Sequence, residues 1–97
     1  MLKTPVAGRR LDILEWLKEP AAHFPARRRA TSPEHGVTAG ALAHKLGVRR
    51  KVAGHHLDLL ARVGLLRAEK VGRRTYYRRD EIRIAEVARM FEKGWQR

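Results

Sequence analysis

A mainly α chain carrying one small β-hairpin is the fold class predicted here, and three features of residues 38–79 predict it. Leu42, Ala43 and Leu46 share one helical face, and Gly47 follows them as a residue suited to a tight turn. Ala53, Leu57 and Leu60 make a second apolar face, and Gly64 stops that helix. Two strand-like runs, Leu65–Val71 and Arg74–Arg79, then flank Gly72-Arg73, a short turn that closes a hairpin. Two helices crossing at a short turn, with a cationic hairpin beside them, define a winged helix-turn-helix. Such a unit can lay its second helix in a DNA major groove while the hairpin grips the adjacent backbone.

Composition points the same way. A chain of 97 residues has room for one domain and one modest core, burying roughly 60–65% of the unfolded chain's surface. With 43% hydrophobic residues it lies well above the disordered regime. Its 22 Lys and Arg outnumber its 10 Asp and Glu, leaving a net charge of +12. That excess repels itself in the free protein, so it argues for a polyanionic partner. Sixteen of the cations are Arg, which can bind phosphate or guanine through two donors at once. Nucleotide bias also raises Arg and Ala content, so the charge carries this argument and the arginine preference carries less.

The chain has no Cys, which excludes disulfides, thiolate metal sites and thiol redox sensing. The start MLKTPVAGRR lacks an apolar signal core, and no run approaches the ~20 apolar residues of a membrane span. A soluble, cytoplasmic protein without membrane contact is the expectation. No internal repeat is visible.

Taken in order, residues 1–8 read as a flexible tail and residues 9–97 as a single domain. Arg9 to Lys18 reads as the first helix, ended by Pro20. Leu11, Ile13, Leu14, Trp16 and Leu17 surround most of it, as in a helix buried on more than one face. From Pro20 to Gly36 the sequence predicts a long irregular segment with the run Arg27-Arg28-Arg29, either a solvated loop or an arm reaching phosphates. Phe24 is expected to anchor this segment on the core. Val37 suits a short strand, and Thr38 is a sound N-cap for a helix over Ala39–Leu46. Asp80 caps a last helix from Glu81 to about Lys93, with Gly94 as its stop. On it Ile84, Val87, Ala88, Phe91 and Trp95 fall within one narrow stripe. Packing against its own domain explains such a stripe. So does a two-fold dimer, the commonest soluble assembly. Because the first helix is equally over-apolar, the terminal helices (9–19 and 81–95) are expected to form a homodimer seam. Leu11, Leu14, Trp16, Ile84, Val87, Phe91 and Trp95 would build it.

From Arg9 to Trp95 the order of elements resembles the ArsR-type winged helix-turn-helix transcription regulators. The most specific residues are Leu46-Gly47-Val48, His56-Leu57, Leu60, Gly64-Leu65-Leu66, Gly72-Arg73 and Tyr77. The resemblance implies a homodimer that binds double-stranded DNA at an inverted repeat and represses transcription. It also implies an unidentified small-molecule inducer that lowers operator affinity. Two departures stand out. Arg49 stands where the family commonly has Ser or Thr opening the recognition helix, and Gly54 where it has a Ser near the middle. Gly54 costs roughly 1 kcal/mol against Ala in a helix interior, and either a close approach to the DNA backbone or simple drift accounts for it. The family's metal sensors use a cysteine cluster or carboxylate and His ligands on the last helix. This chain has no Cys and no His there, so no metal or cofactor is expected.

Several single residues have plainer roles than chemistry. His55 and His56 are adjacent, so they point about 100° apart and make no natural chelate. His23, His35 and His44 lack the tight spacing usual for zinc ligands. His56, at the edge of the apolar stripe, reads as a packed, hydrogen-bonded histidine. On the second helix Lys51, Gly54 and His55 fall opposite the apolar face, with Arg49 and Arg50 at the N-terminus where base contacts concentrate. Asp58 shares that face and reads as the ion-pair partner of Arg62. Lys70, Arg73, Arg74, Arg78 and Arg79 make the hairpin basic, and Arg73 at its tip suits a minor groove. Tyr76 and Tyr77 alternate faces; Tyr77 is assigned inward. With no Cys nucleophile and no glycine-rich phosphate loop, enzymatic catalysis is not expected. The competing readings are a module binding RNA or the ribosome and one docking on an acidic protein.

Overall fold

The computed structural model describes residues 6–24, 31–32 and 35–95, so the Arg27-Arg28-Arg29 run lies outside the described residues. Helix α1 (Val6–Trp16) and the one-turn α2 (Pro20–His23) come first, followed by β1 (Thr31–Ser32) and β2 (Gly36–Thr38). Then come α3 (Ala39–Leu46), α4 (Arg50–Arg62), β3 (Leu66–Val71), β4 (Arg74–Arg79) and α5 (Glu81–Trp95). The architecture is a winged helix-turn-helix, with α3 and α4 as the two helices and β3–β4 as the wing.

Local chemistry explains each boundary. Thr38 is extended and its hydroxyl accepts from the Ala41 amide at 3.2 Å, which caps α3. At the other end Gly47 takes a left-handed conformation, φ 70°. Its N–H returns to the Ala43 carbonyl, so the chain turns within one residue. Asp80 caps α5 through Oδ1, which accepts from the Arg83 amide at 3.0 Å. The helix end expected near Lys93 falls slightly later, at Trp95, because Gly94 continues the helix instead of stopping it.

The strands form one antiparallel sheet in the order β1-β2-β4-β3. Val37 pairs with Tyr77, and the wing pairs in register from Leu66 with Arg79 to Val71 with Arg74. Gly36 is obligatory at the entry to β2. Its φ is 109°, and a Cβ there would stand 2.0 Å from the Tyr77 carbonyl oxygen.

Ile13, Val37, Leu42 and Leu57 are the largest fully buried side chains, and α1, β2, α3 and α4 meet around them. Two expectations change here. Helix α1 starts at Val6, inside the expected tail. The segment after it is not wholly irregular: Pro20 opens α2, where its missing N–H is no loss, and β1 adds an edge to the sheet. Phe24 is buried as expected, edge-on to Trp16 with ring centroids 6.5 Å apart.

Candidate nucleic-acid interface

Helix α4 divides cleanly into two sides. Ala53, His56, Leu57 and Leu60 are buried, whereas Arg49, Arg50, Lys51 and His55 are exposed. Arg49 is the N-cap residue; its guanidinium has donors only and so cannot cap the helix, and the side chain is exposed. Arg50 lies across the start of α3, with Nη2 3.1 Å from where a Cβ on Gly40 would stand. Gly54, expected on the DNA-facing side, is half-buried. A Cβ there would meet the Ala39 Cβ of α3 at 3.9 Å, an ordinary contact.

The wing presents Lys70, Arg73, Arg74 and Arg78 as exposed side chains. Arg79 corrects the sequence reading. Its side chain is only 13% exposed, and its guanidinium donates to the Leu14 carbonyl at 2.9 Å and to Glu81 at 3.2 Å. It lies at the end of β4, between α1 and the first turn of α5, and ties those elements together instead of reaching outward.

Asp58 is a second correction. Its Oδ1 accepts from the Tyr77 hydroxyl at 2.6 Å, so its partner is on the wing and not Arg62. Burial and this bond push the Tyr77 phenol up to about 12. Tyr77 packs into the core as assigned, but Tyr76 is buried too. Its ring sits 5.8 Å from that of His35, which bonds Glu69 of β3 through Nδ1 at 3.1 Å. The sheet's second face is therefore also covered at that point.

His56 is buried as expected, but its Nδ1 has no hydrogen-bond partner among the described residues. Burial holds its pKa below the ordinary 6.5, and the charges of Arg10, Arg9 and His55 act in the same direction. The other histidines do not gather: among the described residues no three His, Asp or Glu side chains are placed to hold a metal ion.

Between the start of α3, the start of α4 and the inner side of the wing lies a half-open cleft of about 460 Å³. Arg50 enters it from one side and Arg73 and Arg74 from the other, over a floor of Thr38, Ala39 and Gly40. Recognition-helix and wing cations thus line one continuous cavity, which sequence spacing alone does not reveal.

The residues expected at a dimer seam do not share one environment. Leu14 and Trp16 pack against the chain's own core, and the Lys45 ammonium stands 5.0 Å over the Trp16 ring. Ile84 and Val87 are half-buried, whereas Leu11 and Phe91 are 68% and 67% exposed. Trp95 ends α5, and its side chain lies outside the described residues. No helix among the described residues is long and apolar enough to cross a membrane.

A helix-turn-helix with a basic wing defines the class to which this molecule is to be compared. The chain is 40% identical over 79 residues to the uncharacterized HTH-type transcriptional regulator YbzH of Bacillus subtilis (strain 168), covering 81% of this chain and 79% of that protein. The chain belongs to the HTH-type transcriptional regulators. No family profile matches the chain, and no solved structure matches it.

Proposed function

We propose that this regulator is an ArsR-type homodimer that binds an inverted-repeat operator in double-stranded DNA and represses transcription. The observation that carries the reading is the pairing of two cationic surfaces on one rigid support. Arg49, Arg50, Lys51 and His55 stand exposed along the first half of α4, and Lys70, Arg73, Arg74 and Arg78 stand exposed on the wing. The Tyr77–Asp58 bond fixes the spacing between them. A helix so oriented suits a major groove, whereas the corresponding groove of an RNA duplex is too narrow. The net charge of +12 supplies the non-specific part of the affinity.

Homodimerisation through the terminal helices fits the same geometry. The stripe of α5 is half-buried at Ile84 and Val87 and 67% exposed at Phe91, so much of its apolar surface still meets solvent. A second copy would cover it and set two α4 helices on successive half-sites. Repression and relief by an inducer are what the ArsR-type resemblance contributes.

Competition binding tests the reading. Labelled duplex from the region upstream of the protein's own coding sequence is challenged with random duplex and with RNA of equal length. Selective retention of the upstream duplex is expected. Equal displacement by RNA would favour an RNA-binding role instead.

A further inference from the structure

The cleft between α3 and the wing is larger than a contact with one backbone phosphate requires. At about 460 Å³ it falls within the range of small-molecule sites. Three guanidiniums, those of Arg50, Arg73 and Arg74, line it, and no Asp or Glu does. Among the described residues none of the three is held in an ion pair. Like charges gathered around one cavity repel one another, and an anion placed between them removes that repulsion. Arginine offers several donors in a fixed fork, which matches the oxygens of a phosphate group. Gly40 leaves the floor open beneath the Arg50 guanidinium, where a side chain would crowd it. Thr75 adds a hydroxyl-bearing residue to the wall.

We propose that this cleft binds a free phosphorylated small molecule, held by Arg50, Arg73 and Arg74, and that its occupancy competes with DNA. The anion site stands on the cleft itself; the competition rests on the regulator reading, because the same arginines are assigned there to DNA. A bound phosphate would neutralise cations at both the helix start and the wing, so one ligand would weaken two contacts at once. This gives an effector a route to lower operator affinity without moving any helix.

Inorganic pyrophosphate serves as the probe, titrated into the DNA-free protein by calorimetry at constant ionic strength. Saturable uptake of one pyrophosphate per chain is expected. Gly40→Glu should weaken it at least tenfold, since the new carboxylate fills the cleft beside Arg50. A carboxylate in the first turn of α3 favours the helix, so folding should survive, as circular dichroism would show. Arg50→Ala should weaken uptake similarly, whereas Arg89→Ala, which removes the same charge from α5, should leave it unchanged. Pyrophosphate should also lower the apparent affinity for duplex DNA in the wild type and not in Gly40→Glu. Uptake that never saturates, or that Arg89→Ala weakens equally, would overturn the site. So would cleft variants that lose duplex affinity while the wild type takes up no pyrophosphate, because the cleft would then serve the DNA backbone alone. If pyrophosphate binds in the cleft but no duplex is bound under any condition, the regulator reading fails and the anion site stands.

Discussion

The Tyr77 hydroxyl donates to Asp58 Oδ1 at 2.6 Å, and this bond joins the wing to the helix that precedes it. Tyr77 sits on β4 between β2 and β3, paired with Val37 on one side and Ala68 on the other. Asp58 stands on α4 two turns beyond the exposed cations at its start. The bond therefore fixes how far the wing arginines stand from Arg50 and Lys51. It also places the one carboxylate on that face of α4 where its charge is engaged.

Tyr77→Phe should cost about 1.5 kcal/mol, the lower end for hydrogen bonds to charged groups, because water can reach Asp58 in the variant. The alkaline limb supplies a separate signature. With the folded phenol pushed up to about 12 and its unfolded value at 10.0, the unfolded chain ionises first as pH rises. Wild-type stability should hold below pH 10 and fall through that window, and the variant should lose this component. Denaturant melts from neutral to alkaline pH read both effects; identical alkaline limbs would contradict the bond.

His56 governs the acid side. The folded imidazole has its pKa held below 6.5, so on acidification the unfolded chain takes the proton before the folded one. Stability from keeping His56 neutral is whole above pH 6.5 and lost as pH falls from there toward the depressed folded value. The slope is at most about 1.4 kcal/mol per pH unit for this one group. His56→Gln should flatten the curve between neutral pH and pH 5 relative to wild type. Parallel curves would show that other groups carry the acid response.

Gly54 is half-buried, and α3 approaches it on one side only. An Ala there would place its methyl in ordinary contact with Ala39, 3.9 Å away. Gly54→Ala should stabilise the fold by about 1 kcal/mol through helix propensity, a rise of roughly 4–8 °C in Tm. Duplex affinity should stay within twofold of wild type. A tenfold loss would restore the close approach to a DNA backbone.

Local patterns carry most of the fold. Periodicity marks α3, α4 and α5, and the caps Thr38 and Asp80 and the turns at Gly47 and Gly72 are all readable because each acts within a few residues. What escapes depends on distant partners. A basic residue closing a cationic strand looks like a phosphate ligand, yet Arg79 turns inward because the Leu14 carbonyl, 65 positions away, lies within its reach. Asp58 looks paired with Arg62 because i,i+4 spacing is visible in sequence and a tyrosine 19 positions on is not. The cleft of Arg50, Arg73 and Arg74 exists only once the wing folds back toward the start of α3. The arginine types are legible; their convergence is not.

The α5 stripe predicts how the chain assembles. Phe91 is exposed, beyond the half-buried Ile84 and Val87. A homodimer at micromolar concentration is expected from sedimentation of the wild type. Phe91→Glu should shift it to monomer and weaken DNA binding, while leaving the circular dichroism spectrum intact. A wild type that sediments as a monomer at high concentration would remove the dimer from the proposal.

Reading and gripping should separate in a salt series. Lys51 and His55 stand exposed one helical turn apart on α4, the arrangement for reaching base edges. Arg74 stands on the inner side of the wing, where phosphate is the nearer target. Lys51→Ala should cost about 1–3 kcal/mol on the operator and relax discrimination at one base position. Arg74→Ala should weaken all sequences alike and make the log–log salt slope shallower by about 1 for each phosphate that is no longer neutralised. In a homodimer each substitution counts twice, so the change in slope should approach about 2. Affinity against salt for operator and scrambled duplexes, measured with both variants, distinguishes the roles. If Lys51→Ala weakened both duplexes equally while Arg74→Ala spoiled only the operator, the helix and the wing would have exchanged tasks, and the proposed docking of α4 in the major groove would have to be abandoned.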